Sequence, residues 1–140
     1  MKSIQTATER EDLPKKRIPA PVKEAVAALL DKNAQQVVVM KLKGRNEFTD
    51  LMIVCHGLST RQNKALAEHL EERLLTKYRL KPFSVEGCGN AEWILVDYVD
   101  FVVHVFIAEA RRRYDLEKLW MDAKQYLFTT DKNLEGPPFS

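Results

Sequence analysis

The stretch AEWILVDYVDFVVHVF, residues 91–106, sets Trp93, Asp97, Asp100 and His104 among otherwise apolar residues. Carboxylates near an imidazole raise two chemistries, metal-assisted phosphoryl transfer and proton transfer. The first needs neighbouring carboxylates, usually D-x-D on one strand face, to hold divalent cations against phosphates. No D-x-D occurs in the chain, and Asp97 and Asp100, three apart, straddle a turn, so they do not converge on one ion. HGLST, residues 56–60, precedes a helix and could cradle a phosphate at its N-terminus, but Gly57 and Ser59 are read instead as serving the turn and the cap. His56, His69 and His104 have no partner at ligand spacing, and no nucleophile lies beside His104, which suits a contact role better than a catalytic one. Cys55 and Cys88 stand far apart with no CxxC or His/Cys ligand spacing, and read as structural or incidental thiols. No catalytic residue, metal ligand or cofactor is assigned on these grounds.

The elements that must hold these residues follow from periodicity. Pro21 suits a first helical turn, and Val22, Val26, Leu29 and Leu30 recur on one face, which predicts a helix ending near Asp31. QVVVMKL (36–42) and FTDLMIVC (48–55) are strand-like and joined by KGRN, so a hairpin is expected. In the next helix Ser59 and Gln62 have the spacing of a capping box, with the Gln62 side chain expected to reach back to the Ser59 N–H, and Leu66, Leu70 and Leu74 mark its buried stripe. KPFSVEG (81–87) holds a short strand, the quoted hairpin follows, and a last helix is expected from about Asp115 with Leu116, Leu119, Trp120, Ala123 and Leu127 on one side. The order α-β-β-α-β-β-β-α implies an α+β fold, a mixed sheet of about five strands packed on helices.

If Val99 and Asp100 form the two-residue loop, Trp93 pairs with Phe106, Leu95 with His104 and Asp97 with Val102. One face then reads Ile94, Val96, Tyr98, Phe101, Val103 and Val105, fit to receive helices. The other reads Trp93, Leu95, Asp97, Val102, His104 and Phe106, large anchors with polar handles, the composition of a recognition patch. The bland alternative is that a helix of the same chain covers this face and that Asp97 and His104 form a satisfied buried pair.

At 140 residues the chain fits one domain, and its net charge of +2, from 22 basic and 20 acidic residues, neither demands nor excludes a phosphate backbone as partner. Residues 1–19 and the tail from 129 to 140 read as weakly ordered flanks around a domain spanning 20–128. The N-terminus has no apolar h-region and no run approaches membrane-spanning length, so a cytoplasmic protein is expected.

Three stretches, FTDLMIVCHGLSTRQ (48–62), EGCGNAEWILVDYVDFVVHVF (86–106) and RRRYDLEKLW (111–120), taken in this order and spacing, resemble the Iojap-like ribosomal silencing factors. The resemblance implies a nucleotidyltransferase-like topology without its active site. It implies a binding protein that docks on the universal large-subunit ribosomal protein fourteen and sterically blocks joining of the small subunit, repressing translation. It carries a partner-binding role to Trp93 and Asp97. His104 and Phe106 occupy the HVF segment beside them, and Tyr114, Glu117 and Trp120 match the family's R-x-Y-x-L-E-x-L-W helix; Leu95 joins this set through its strand face. The resemblance makes a homodimer of the free protein plausible, and an exposed patch holding Trp93 makes self-pairing physically reasonable, while the sequence is silent on whether the free protein pairs through that patch. Arg111, Arg112 and Arg113 are candidate contacts to ribosomal RNA. The family more usually has Gly at the hairpin turn where this chain has Val99, a β-branched type that resists positive φ. The alternative function is a nucleotidyltransferase-like enzyme or nucleotide-binding protein.

Overall fold

A computed structural model describes residues 6–9, 18–41, 51–119 and 124–129 of the chain. Its elements are β1 (Thr6–Glu9), α1 (Ala20–Asp31), β2 (Gln35–Lys41), β3 (Leu51–Gly57), α2 (Thr60–Tyr78), β4 (Ser84–Glu86), β5 (Trp93–Asp97), β6 (Phe101–Ile107), α3 (Ala108–Tyr114), α4 (Leu116–Leu119) and β7 (Lys124–Thr129). The strands make one mixed sheet in the order β1-β7-β2-β3-β6-β5-β4. β3 and β6 run parallel, while the β2–β3 and β5–β6 pairs are antiparallel. This is the expected α+β class, with two more strands than the sequence suggested.

The helices start where local chemistry permits. Proline occupies the first turn of α1, where an N–H would have no intrahelical partner anyway. Ser59 Oγ accepts from Gln62 N–H at 3.0 Å, capping α2. The Gln62 side chain does not return to Ser59 as expected: its Oε1 accepts from Leu58 N–H at 2.7 Å and its Nε2 donates to Lys32 O at 3.0 Å, tying α2 to the end of α1. Arg73 joins the two helices further along through Glu24 and Asp31.

α1 and α2 pack on one sheet face. Val22, Val26 and Leu29 of α1 and Leu66, Leu70 and Leu74 of α2 share a buried core with Val37, Val39, Ile53, Ile94, Val96, Val103 and Val105. A smaller apolar cluster on the opposite face holds Val38, Met40, Val54, Phe106, Ala110 and Leu127, with Trp93, Met52, Ile107 and Leu116 against it. Alternation along each strand divides the two clusters, as period 2 demands.

The chain departs from the expected final helix. α3 closes at Tyr114, Asp115 takes a left-handed conformation with φ 48°, and α4 is one turn long. Leu127, assigned to the apolar side of a continuous helix, instead lies in β7, where Val38 is its neighbour on β2 and Tyr126 and Phe128 point to the opposite core. Pairing of β7 supplies the hydrogen bonds that the edge of β2 would otherwise leave open, a tertiary gain that overrides local helical spacing. Trp120 and Ala123 lie outside the described residues. The stretch 1–19, expected as a weakly ordered flank, contributes β1, which pairs with β7, and Ile18, buried in the main core. The tail beyond Thr129 lies outside the described residues.

Candidate docking site

Entry to β5 is set by backbone constraints. Gly87 has φ 88°, and a Cβ there would meet Trp93 O at 2.0 Å, so the loop needs glycine. Ala91, with φ 61°, is pinned by its N–H to Gly87 O at 3.0 Å and by Asn63 Nδ2, which donates to Ala91 O at 2.8 Å. β5 therefore starts from a fixed point on α2.

The hairpin register matches the sequence reading pair for pair: Trp93 with Phe106, Ile94 with Val105, Leu95 with His104, Val96 with Val103 and Asp97 with Val102. Tyr98 N–H donates to Phe101 O at 2.9 Å, which leaves Val99 and Asp100 as the loop. Val99 adopts φ 73° and Asp100 N–H closes on Tyr98 O at 2.8 Å, a γ-turn that a β-branched residue enters only under strain. Asp97 Oδ1 offsets part of it by accepting Val99 N–H at 2.8 Å. The turn thus keeps the positive φ that glycine favours although valine occupies it.

Trp93, Leu95 and Asp97 are half-buried on the second face, and Phe106 beneath them is fully buried. The Trp93 ring lies 4.9 Å from Phe106 and 4.5 Å from Tyr114 on α3, centroid to centroid. Its indole Nε1–H donates to His104 Nδ1 at 2.9 Å. Asp97 and His104 are therefore not paired with each other; one holds the turn, the other holds the tryptophan. His104 is only 7% exposed, and burial pushes its pKa down to about 4, so it is neutral at physiological pH. Of the residues assigned to partner contact, Trp93, Leu95, Asp97 and Tyr114 reach solvent, whereas His104 and Phe106 form a floor.

Two assignments need correction. Arg111, read as one of three surface arginines, is 1% exposed, and Glu117, read as a partner contact, is 5% exposed. Arg111 Nε donates to Glu117 Oε2 at 2.9 Å, its Nη2 pairs with the same oxygen, and Nη1 donates to His56 Nδ1 at 2.9 Å and to Gln35 O at 3.3 Å. A guanidinium so engaged cannot reach an RNA phosphate without abandoning a buried carboxylate. The pair is instead an internal bracket joining α3, α4, β3 and β2, and it places Tyr114 beside Trp93. Three like residues in a row gave no sign of this, and the six-residue offset of Arg111 and Glu117 is not a same-face helix spacing; the break at Asp115 is what brings the two together. Arg112 and Arg113 are exposed, and the Arg113 guanidinium lies 5.2 Å from the Tyr114 ring centre.

Two neighbouring groups on β3 are shifted by burial as well. Burial, with Arg111 beside it, lowers His56 to about 4, and burial raises the Cys55 thiol to about 12, leaving it protonated and unreactive. Cys88 is exposed. Among the described residues no three His, Cys, Asp or Glu side chains come together to hold a metal ion, and no helix is long and apolar enough to cross a membrane.

Fold and site together define an α+β domain with one sheet face sealed by helices and the other left with a half-open aromatic and acidic row. The chain belongs to the RsfS family, ribosomal silencing factor during starvation, whose model matches residues 15–137. It is 41% identical to the ribosomal silencing factor RsfS of Halalkalibacterium halodurans over 71% of this chain and 84% of that protein. A crystal structure of a protein from Chromobacterium violaceum superposes with a TM-score of 0.71 at 30% identity, covering 89% of this chain and 99% of that one. A mouse relative named mitochondrial assembly of ribosomal large subunit protein 1 is 32% identical over 68% of this chain and 42% of that protein.

Proposed function

We propose that this protein is a cytoplasmic ribosomal silencing factor that binds the large ribosomal subunit through its universal protein fourteen and sterically blocks joining of the small subunit. The observation that carries the reading is the row Trp93, Leu95 and Asp97, half-exposed on a rigid central hairpin, with Phe106 buried behind it and Tyr114 beside it. A large aromatic anchor with a charged neighbour on a backed, ordered surface is what a binding hot spot requires. Family membership supports the ribosome as target, and the name of the mouse relative supports the large subunit in particular. Action is by occupancy: docking competes with the small subunit for one surface and needs no turnover. Arg112 and Arg113, both exposed on α3 and the latter over the Tyr114 ring, are the remaining candidates for contact with ribosomal RNA. In the free protein the same half-open row can pair with a second copy, giving a homodimer that docking would separate.

Co-sedimentation with purified large subunits tests this. Trp93→Ala and Asp97→Arg are expected to abolish binding while circular dichroism stays that of a folded domain. Asp97→Asn keeps an oxygen for Val99 N–H and removes only the charge, so it separates loss of the turn from loss of a partner contact. Undiminished binding by both Trp93→Ala and Asp97→Arg would remove the site.

A further inference from the structure

Trp93 is held by three neighbours of different kinds. Phe106 and Tyr114 touch its ring with tilts of 30° and 45°, contacts that tolerate some sliding of the indole. The Nε1–H to His104 Nδ1 bond of 2.9 Å is directional and does not. His104 itself is fixed, since β6 lies between β3 and β5 and the side chain is almost wholly buried.

We infer that His104 is a positioning residue for the docking surface, its Nδ1 lone pair fixing the pose in which Trp93 is presented. This rests on the docking reading above. A side chain so buried offers a partner little area of its own, so its influence must pass through the indole. Accepting at Nδ1 requires that ring nitrogen to be unprotonated and places the proton of the neutral ring on Nε2. Burial supplies that condition. The ionisable groups on the same sheet face are His56 on β3, Glu86 on β4 and Asp97 on β5, with Arg111, Arg113 and Tyr114 on α3 and Glu117 on α4, and none of them contributes to the shift of His104, whose cause is desolvation alone. An indole already held in one rotamer in the free protein spares the cost of selecting that rotamer on binding.

The test reads the indole N–H resonances of the 15N-labelled full chain, with Trp93 distinguished from Trp120 by Trp120→Phe. In the wild type the Trp93 indole proton is expected to be shifted downfield and protected from solvent exchange. His104→Asn, which puts an amide oxygen near the place of Nδ1, should retain both properties and bind large subunits within about twofold of wild type. His104→Leu should lose both and bind several-fold to about tenfold more weakly. The inference is overturned if the wild-type indole exchanges as freely as an exposed tryptophan, a measurement that needs no folded variant. It is equally overturned if the leucine variant binds like wild type, or if the asparagine variant loses as much as the leucine variant. A wild-type chain that fails to bind large subunits would remove the docking reading, and the indole spectra would still decide whether His104 sets the ring's pose.

Discussion

β5 and β6 serve two faces with opposite tasks. Toward α1 and α2 they turn Ile94, Val96, Tyr98, Phe101, Val103 and Val105, every one of them buried. Toward the other side they turn Trp93, Leu95, Asp97, Val102, His104 and Phe106, whose exposure is graded from a sealed floor to a half-open row. The first face is uniform because helices of the same chain complete it. The second mixes rings, an acid and an imidazole, its outer layer stays half-open, and Asp97 and His104 each hold a specific neighbour. Under the proposed function, folding and docking are divided by parity along the same two strands.

The sharpest probe of that division is the bracket beneath the second face. Arg111→Met, by stranding Glu117 in the interior, should cost about 3–5 kcal/mol in denaturant unfolding. Adding Glu117→Leu should recover most of the loss; a double variant as unstable as the single one would show that the pair is not the reason these residues are buried. Next come neighbouring positions of opposite parity. Ile94→Ala is expected to cost about 2–5 kcal/mol of stability. Leu95→Ala should cost about 1 kcal/mol or less, because its side chain is already half in water, and should weaken docking. Equal destabilisation by the two would erase the contrast.

Acid should act on the second face. His56 and His104 titrate near 4 in the folded protein, below the ordinary 6.5, so between these values the unfolded chain binds more protons. Stability is then full above pH about 6.5 and falls as pH drops toward about 4. The 7%-exposed His104 contributes on the order of 3 kcal/mol, and the half-buried His56 contributes less. His104→Leu should flatten the slope of unfolding free energy against pH; an unchanged slope would place the acid sensitivity elsewhere. The smallest effect is a gain. Val99→Gly relieves a β-branched residue at φ 73° and should stabilise the fold by about 1 kcal/mol, net of the entropy glycine adds to the unfolded chain. A loss in thermal melting would mean that the valine side chain makes a compensating contact.

The hairpin register was readable because a two-residue loop fixes it locally and opposed residues then follow by counting. α1 and α2 were readable because proline, Ser59 and evenly spaced leucines are local signals. β7 was not. Leu116 and Leu127 fit a helical stripe, while the alternation of Tyr126, Leu127 and Phe128 fits a strand equally well, and the decision came from β2, a partner distant in sequence. That Trp93, Leu95, Asp97, His104 and Phe106 share one face was legible from strand parity, but its division into a half-exposed row and a buried floor was not, since it depends on where α3 lies. Arg111 failed for the same reason: its partners come from β2, β3 and α4, and adjacency in the chain says nothing of them.

The sheet order puts β1 and β7, the described segments nearest the two ends of the chain, side by side at one edge, with β2, β3 and β6 between them and β5. At about 4.8 Å per strand, β7 stands about 19 Å from the tryptophan row. An affinity handle, dye or surface linker attached through that margin would leave the row clear, so the proposed capture of a ribosomal subunit could be followed on the anchored protein.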